Sequence, residues 1–350
     1  MSTAAVRTSV AVDWDLAADL APRAVRPGPE ATRADRTALV AALRAAAPVA
    51  AEHVARITRL TPPGDAVVRV VDRPGWARAN VAALRGLAAA GGASAPTGLL
   101  AGARGRAHAV ELAGVLGLLS GSVLGQYDPW GEHGGAAVPP RGTLLLVAPT
   151  VLAVERTLEV DPQDFRLWVA LHEQTHAQQF AAAPWLAGHL ARRSVALLGG
   201  PEASAGSGAR AGRGRADRAD RGGRAGAGDD RRPQELLDEV GAVMALLEGH
   251  ADVTMDQVGR AVLPSVRQLR RRFGSRRDAG ARATGLRRAV RAVLGLDVKL
   301  AQYRDGAAFV RAVRRSVGTA GLNAVWSGPD LLPTATEIAD PPAWVRRVHG

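Results

Sequence analysis

The chain is predicted to be mainly α-helical with a few short strands, and three observations carry that expectation. Apolar residues recur at three- and four-residue intervals over most of its length. An acidic residue followed by proline, a helix-start signal, stands at Asp161-Pro162 and at Asp340-Pro341. Strand-like runs are confined to Val67–Val71 and Thr143–Ala148.

In chain order, residues 1–34 read as loosely ordered, broken by Pro22, Pro27 and Pro29. Residues 35–60 read as a helix, bent at Pro48. Val67–Val71 is a short strand. Pro74–Ala90 and Gly105–Gly121 read as helices, the second strongly apolar through Val110, Leu112, Val115, Leu116, Leu118 and Leu119. Gly125–Pro140 reads as a loop bordering a cleft, with Tyr127, Trp130, Glu132 and His133 in it. Thr143–Ala148 fits either a buried core strand or a cleft-lining strand whose free edge could pair with a peptide. A long helix then runs from Asp161 to Pro184. Asp161 serves as its cap, Pro162 opens it, and Asp164 suits the dipole of its first turn. Gly199–Arg232 consists almost wholly of Gly, Ala, Arg, Asp and Ser and cannot offset its ordering entropy, so it reads as a disordered insertion. The next helix opens near Pro233. Helical spacing returns at Leu263–Phe273, Ala281–Leu294, Val298–Arg304 and Ala307–Ser316. A turn follows at Gly321–Trp326, and a last short helix runs from Pro341 through Trp344. Residues 35–345 are expected to form one domain around the insertion.

Composition narrows the function. The 350 residues include no cysteine, which excludes disulfides, thiolate metal sites and a cysteine nucleophile. Met1–Leu20 carries Asp13, Asp15 and Asp19 rather than a signal pattern, and no run of about 18 apolar residues occurs, so the cytoplasm is expected and a membrane span is not. The net charge of +12 comes almost entirely from arginine, with Lys299 the one lysine. Arg270-Arg271-Arg272 and Arg276-Arg277 could meet phosphates, but aromatic residues make up only 4%, too few for stacking platforms. Nucleic acid is therefore not the expected partner; a peptide or small molecule is. The oligomeric state stays open.

The chemistry concentrates in His172-Glu173-Gln174-Thr175-His176, an H-E-x-x-H pattern inside the long helix. With about 3.6 residues per turn, imidazoles four apart share a helix face, at the spacing of two ligands of a tetrahedral zinc ion. Glu173 stands beside them as a carboxylate able to take a proton from water. A third ligand is needed. His53, His108, His133, His189, His250, His349 and many carboxylates are candidates, and Leu246-Leu247-Glu248-Gly249-His250-Ala251-Asp252 stands out. Glu248 and Asp252 share a helix face. Ala245 and Gly241 on that stripe would let another helix approach, and the metal helix is the expected neighbour.

This pattern resembles the gluzincin branch of the zincin metallopeptidases. There, H-E-x-x-H supplies two ligands and a glutamate on a later helix the third. A carboxylate one turn further on hydrogen-bonds the first histidine. The resemblance implies Zn2+ held by His172, His176 and Glu248, with Asp252 as the supporting carboxylate and Glu173 as general base. The departure is the Gly-His-Ala-Asp after Glu248, which keeps His250 open as a ligand or transition-state stabiliser. Tyr127 is a candidate oxyanion donor. A closer likeness spans about residues 65–345. It is carried by Val70-Val71-Asp72-Arg73-Pro74-Gly75-Trp76, Tyr127-Asp128-Pro129-Trp130, Leu144–Pro149, Asp161–Trp168, Glu248–Asp252, Gln302-Tyr303-Arg304 and Leu322–Trp326. These segments are similar to an actinobacterial zincin-like family of hydrolases, one subfamily of which is associated with deazaflavin-coenzyme biosynthesis. The likeness implies a mostly helical zincin-like metallopeptidase fold and names no substrate, because that family is defined by sequence. The expectation is a zinc hydrolase of metallopeptidase type. The alternative is a non-catalytic scaffold that binds a partner or small molecule.

Overall fold

The computed structural model describes residues 11–62, 67–93, 98–130, 142–198, 231–281 and 296–350. Its helices are α1 (Trp14–Ala24), α2 (Arg33–Thr58), α3 (Arg73–Ala90), α4 (Leu99–Leu119), α5 (Ala148–Leu158), α6 (Pro162–Ala182), α7 (Trp185–Leu198), α8 (Arg231–Gln257), α9 (Val266–Ala281), α10 (Leu296–Asn323), α11 (Ala335–Ala339) and α12 (Pro341–His349). The strands are β1 (Val67–Val71), β2 (Gly125–Asp128) and β3 (Thr143–Val147). A mainly helical fold with a small sheet is what the apolar spacing predicted.

Capping side chains start several helices, Asp161 where the sequence placed it, whereas Asp340 precedes α12 without a side-chain cap bond. Asp161 accepts from the N–H groups of Gln163 and Asp164, both at 2.9 Å, and Pro162 needs no donor there. Thr32 and Asp35 form a reciprocal capping box at the start of α2, and Thr334 and Glu337 form another at α11. Helix α2 is, by length and composition, apolar enough to cross a membrane, with a mean hydropathy of 1.3 over its best window. In this fold it packs along α6. Gln174 Nε2 donates to Ala47 O at 3.1 Å and Gln178 Nε2 to Ala51 O at 2.8 Å.

The sheet has the order β1-β3-β2, with β1 parallel and β2 antiparallel to β3. Val67 to Val71 pair in register with Thr143 to Val147, and Gly125 to Asp128 run against Leu146 to Thr143. Strand β3 is therefore central, paired on both sides and buried at every residue. Of the two readings of Thr143–Ala148, the buried core strand holds; the edges of the described sheet are β1 and β2. The expected loop from Gly125 gives way to β2 over its first residues, and residues 131–141 of it, with Glu132 and His133, lie outside the described residues. Four residues of mixed polarity become a strand only because β3 offers them a ladder.

Other differences have similar causes. Loose order over residues 1–34 does not extend to α1, whose Ala17 and Ala21 are fully buried against α4. The contact is built from small residues: Gly117 on α4 meets the backbone of Ala24, and Gly105 meets that of Asp13. The Arg73 side chain, 8% exposed, then ties the following segment down by donating to the carbonyls of Arg26 and Pro27. Helices α5 and α7 follow strand and helix ends closely, with Pro149 in the first turn of α5 and Pro184 just before α7. The segments Val298–Arg304 and Ala307–Ser316 belong to one helix, α10, whose backbone leaves helical geometry only at Gly318, with φ 72°. The proposed insertion lies outside the described residues over 199–230, as does the expected helix Ala281–Leu294 beyond its first residue.

Candidate metal centre

Helix α6 lies between two neighbours. The amides of Gln174 and Gln178 grip α2, and the opposite face, roughly half a turn away, carries His172 and His176 toward α8. There His172 Nε2 and His176 Nε2 stand 3.2 Å apart, with the ring planes at 87°. Glu248 reaches in from α8: its Oε2 is 3.6 Å from His172 Nε2 and its Oε1 3.8 Å from His176 Nε2. One ligand atom from each of the three residues falls within 4.8 Å of the others, and all three residues are half-buried.

These donors suit zinc. Ligand bonds of about 2.05 Å in a tetrahedron put neighbouring donor atoms about 3.3 Å apart. The observed spacings of 3.2–3.8 Å lie close to that value. Two imidazoles and one carboxylate are also the donor types this ion favours, and three protein ligands leave a coordination position for water. The fit concerns Glu248 specifically. His53, His108, His189 and His349 are engaged elsewhere: His53 with Arg56, His108 with Ala11 O, His189 against Trp185 and His349 with Gly321 O.

Glu173 is 6% exposed. Burial, and then the nearby charge of Glu248, push its carboxyl well above the usual carboxylate range. Its carboxyl group rests on β2. A Cβ added at Gly125 would lie 2.6 Å from Glu173 Cγ and 2.9 Å from Oε1, so only glycine leaves the carboxyl its place. Tyr127, two residues along β2, packs its ring on Phe180 at 5.5 Å, one helical turn beyond His176, and its hydroxyl accepts from the Gly142 N–H. Burial raises the Tyr127 phenol above its ordinary value.

His250 and Asp252 have partners of their own. His250 is 2% exposed, with Trp326 edge-on at 5.5 Å, and it stands outside the ligand cluster. Burial and the charges of Arg314 and His176 push its imidazole down to about 3, so it is neutral at physiological pH. Asp252 pairs with Arg270 at 3.2 Å and Arg311 at 3.6 Å, and Asp256 pairs with the same two arginines at 2.7 Å each. This network ties α8 to α9 and α10, because two arginines flank the carboxylates once the helices pack. Sequence reasoning missed Gln179. It is fully buried three residues beyond His176, a spacing that shares the metal face, and it contacts His176, His250 and Leu247.

A mainly helical fold with H-E-x-x-H on one helix and a glutamate on a later helix is a zincin-like arrangement with a candidate metal site. The profile of the zincin-like metallopeptidase family matches residues 12–345, and the chain belongs to that family. No curated protein matches it. Among solved structures it is similar to a protein from Chloroflexus aurantiacus described as "a putative hydrolase with a novel fold", at 28% identity and a TM-score of 0.66, over 96% of this chain and 98% of the other.

Proposed function

We propose that this protein is a zinc-dependent hydrolase acting on peptide bonds, with Glu173 as general base. The observation that carries this reading is the convergence of His172, His176 and Glu248 beside a buried carboxyl group that structural metal binding alone would not require. Zinc at such a centre supplies a Lewis acid and lowers the pKa of water. His172, His176 and Glu248 would hold it. Glu173, whose burial strengthens its hold on a proton, takes one from water as the water oxygen attacks the carbonyl carbon. It then returns that proton to the departing amine as the C–N bond breaks. The outer edge of β2, beside Glu173, offers backbone groups to an extended peptide. Tyr127, His250 and Asp252 enter this reading as supports of the site rather than groups that touch substrate. The cysteine-free composition suits a reducing compartment, the cytoplasm.

The test pairs metal analysis of purified protein with a peptide-library cleavage assay on wild type and Glu173→Gln. Both should carry zinc, and only wild type should cleave. Equal cleavage by both would remove Glu173 as base. Zinc in both with cleavage by neither would favour the non-catalytic scaffold. Glu248→Ala should lose most of its zinc; unchanged occupancy would move the third ligand elsewhere.

A further inference from the structure

We infer that Gln179 is a positioning residue that fixes His176 as its Nδ1-protonated tautomer and so aims the Nε2 lone pair into the ligand cluster. The argument starts from a group with no choice. Leu247 O, a backbone carbonyl, can only accept, and it lies 2.9 Å from the Gln179 side-chain nitrogen. That contact settles which end of the amide is NH2. The second N–H of the same nitrogen points to His250 Nδ1 at 3.0 Å, which must therefore accept. The amide oxygen is left facing His176 Nδ1 at 2.9 Å, and an oxygen there can only accept. His176 must then carry its proton on Nδ1, and Nε2 is left with a lone pair. At 3.2 Å from His172 Nε2, that lone pair takes either the His172 proton or a shared cation.

Both N–H groups and the oxygen of the amide are thereby engaged, as its complete burial demands. Leu247 immediately precedes Glu248. One side chain therefore sets the protonation of a ligand on α6 and anchors α8 next to the ligand it supplies. Partners of this kind change metal affinity about 10–100-fold when removed. The affinity consequence rests on the zinc reading above, whereas the tautomer does not.

The experiment is nitrogen-resolved NMR of histidine-labelled, metal-free protein at about pH 8, where an ordinary imidazole of pKa about 6.5 is neutral. Wild type should show His176 protonated on Nδ1. Gln179→Glu gives up the donor to Leu247 O but keeps an acceptor for His176, which should keep its proton on Nδ1. Gln179→Met keeps the length but no acceptor; His176 should become a mixture of tautomers, and zinc should bind about 10–100-fold more weakly in a chelator competition. Protonation on Nε2 in wild type would overturn the inference, as would an unchanged tautomer in folded Gln179→Met. If Gln179→Met fails to fold, wild type and Gln179→Glu still decide. A wild type that shows the Nδ1 tautomer but takes up no zinc would sink the metal reading and leave this inference standing.

Discussion

Glu173 and Gly125 make a matched pair at the scale of single residues. The carboxyl sits low in the fold, against a backbone that has no side chain to displace it. Gly125→Ala would put a methyl group 2.6–2.9 Å from the carboxyl atoms, so the carboxyl must swing aside. The His172, His176 and Glu248 positions would not change. The variant should keep its zinc and lose up to about 100-fold in cleavage rate, the size of effect that a misplacement of about 1 Å produces. Equal loss of zinc would show instead that β2 supports the ligands. The raised proton affinity of Glu173 gives a second prediction. Above the ordinary value of 4.5, the unfolded chain releases this proton while the metal-free fold holds it. Stability of the metal-free protein must therefore fall as pH rises from 4.5 through the raised value, and Glu173→Gln removes that loss. Thermal melts of metal-free protein should show the variant ahead of wild type at about pH 8, with the gap closing toward the carboxylate range. A gap independent of pH would mean that Glu173 does not titrate in this window.

Helix α8 shows what an element discloses by itself and what it withholds. Its small residues promise that another helix comes close, and two do: the metal helix packs on one face, and α10 makes the backbone-to-backbone contact at Ala245 and Gly249. Gly249 lies against the backbone of Gly306 and Ala307, and Gly306 against the backbone carbonyl of Ala245. Small residues signal a close approach and carry no address for the partner. The ligand Glu248 is thus held from behind: α10 presses on one face of α8 while the carboxylate points to α6 from another. Gly306→Ala should force the two helices apart, because the atom it meets is backbone and cannot rotate away. We expect a loss of about 1–3 kcal/mol in unfolding free energy, as for other overpacked contacts. We also expect weaker zinc binding, measured by denaturant melts and chelator competition; full stability with full zinc affinity would show that α8 is not set by this contact. The legible parts of the site were the ones with local chemistry: the cap at Asp161, the two histidines one turn apart, and the second acidic helix. Gln179 was hidden because a glutamine's role depends on what stands across from it. Strand β2 was hidden because Gly-Gln-Tyr-Asp has no strand pattern of its own.

At the scale of the whole molecule, the three candidate ligands come from both sides of residues 199–230, so the centre joins two stretches of chain that no short connection holds in register. The packing of α2, α6, α8 and α10 brings them together: α6 is gripped by the Gln174 and Gln178 amides, and α8 by the Asp252–Asp256–Arg270–Arg311 network. An ion added to this arrangement binds the folded chain through three residues that the unfolded chain does not bring together. It must then stabilise the fold in proportion to the logarithm of its free concentration over its dissociation constant, about 4 kcal/mol at a thousandfold excess. Chelation should therefore lower the melting temperature of wild type, and zinc added back should restore it. The effect should shrink in Glu248→Ala, which loses a ligand, and persist in Glu173→Gln, which keeps all three. Hydrogen exchange locates the cause: on chelation, protection should drop first in α8 around Leu247 and Glu248 and in the His172–His176 turns of α6, and not in the β1–β3 pair. Uniform loss across the sheet would mean that the ion acts on global stability from some other place, and the joint held by His172, His176 and Glu248 would not be where the metal works.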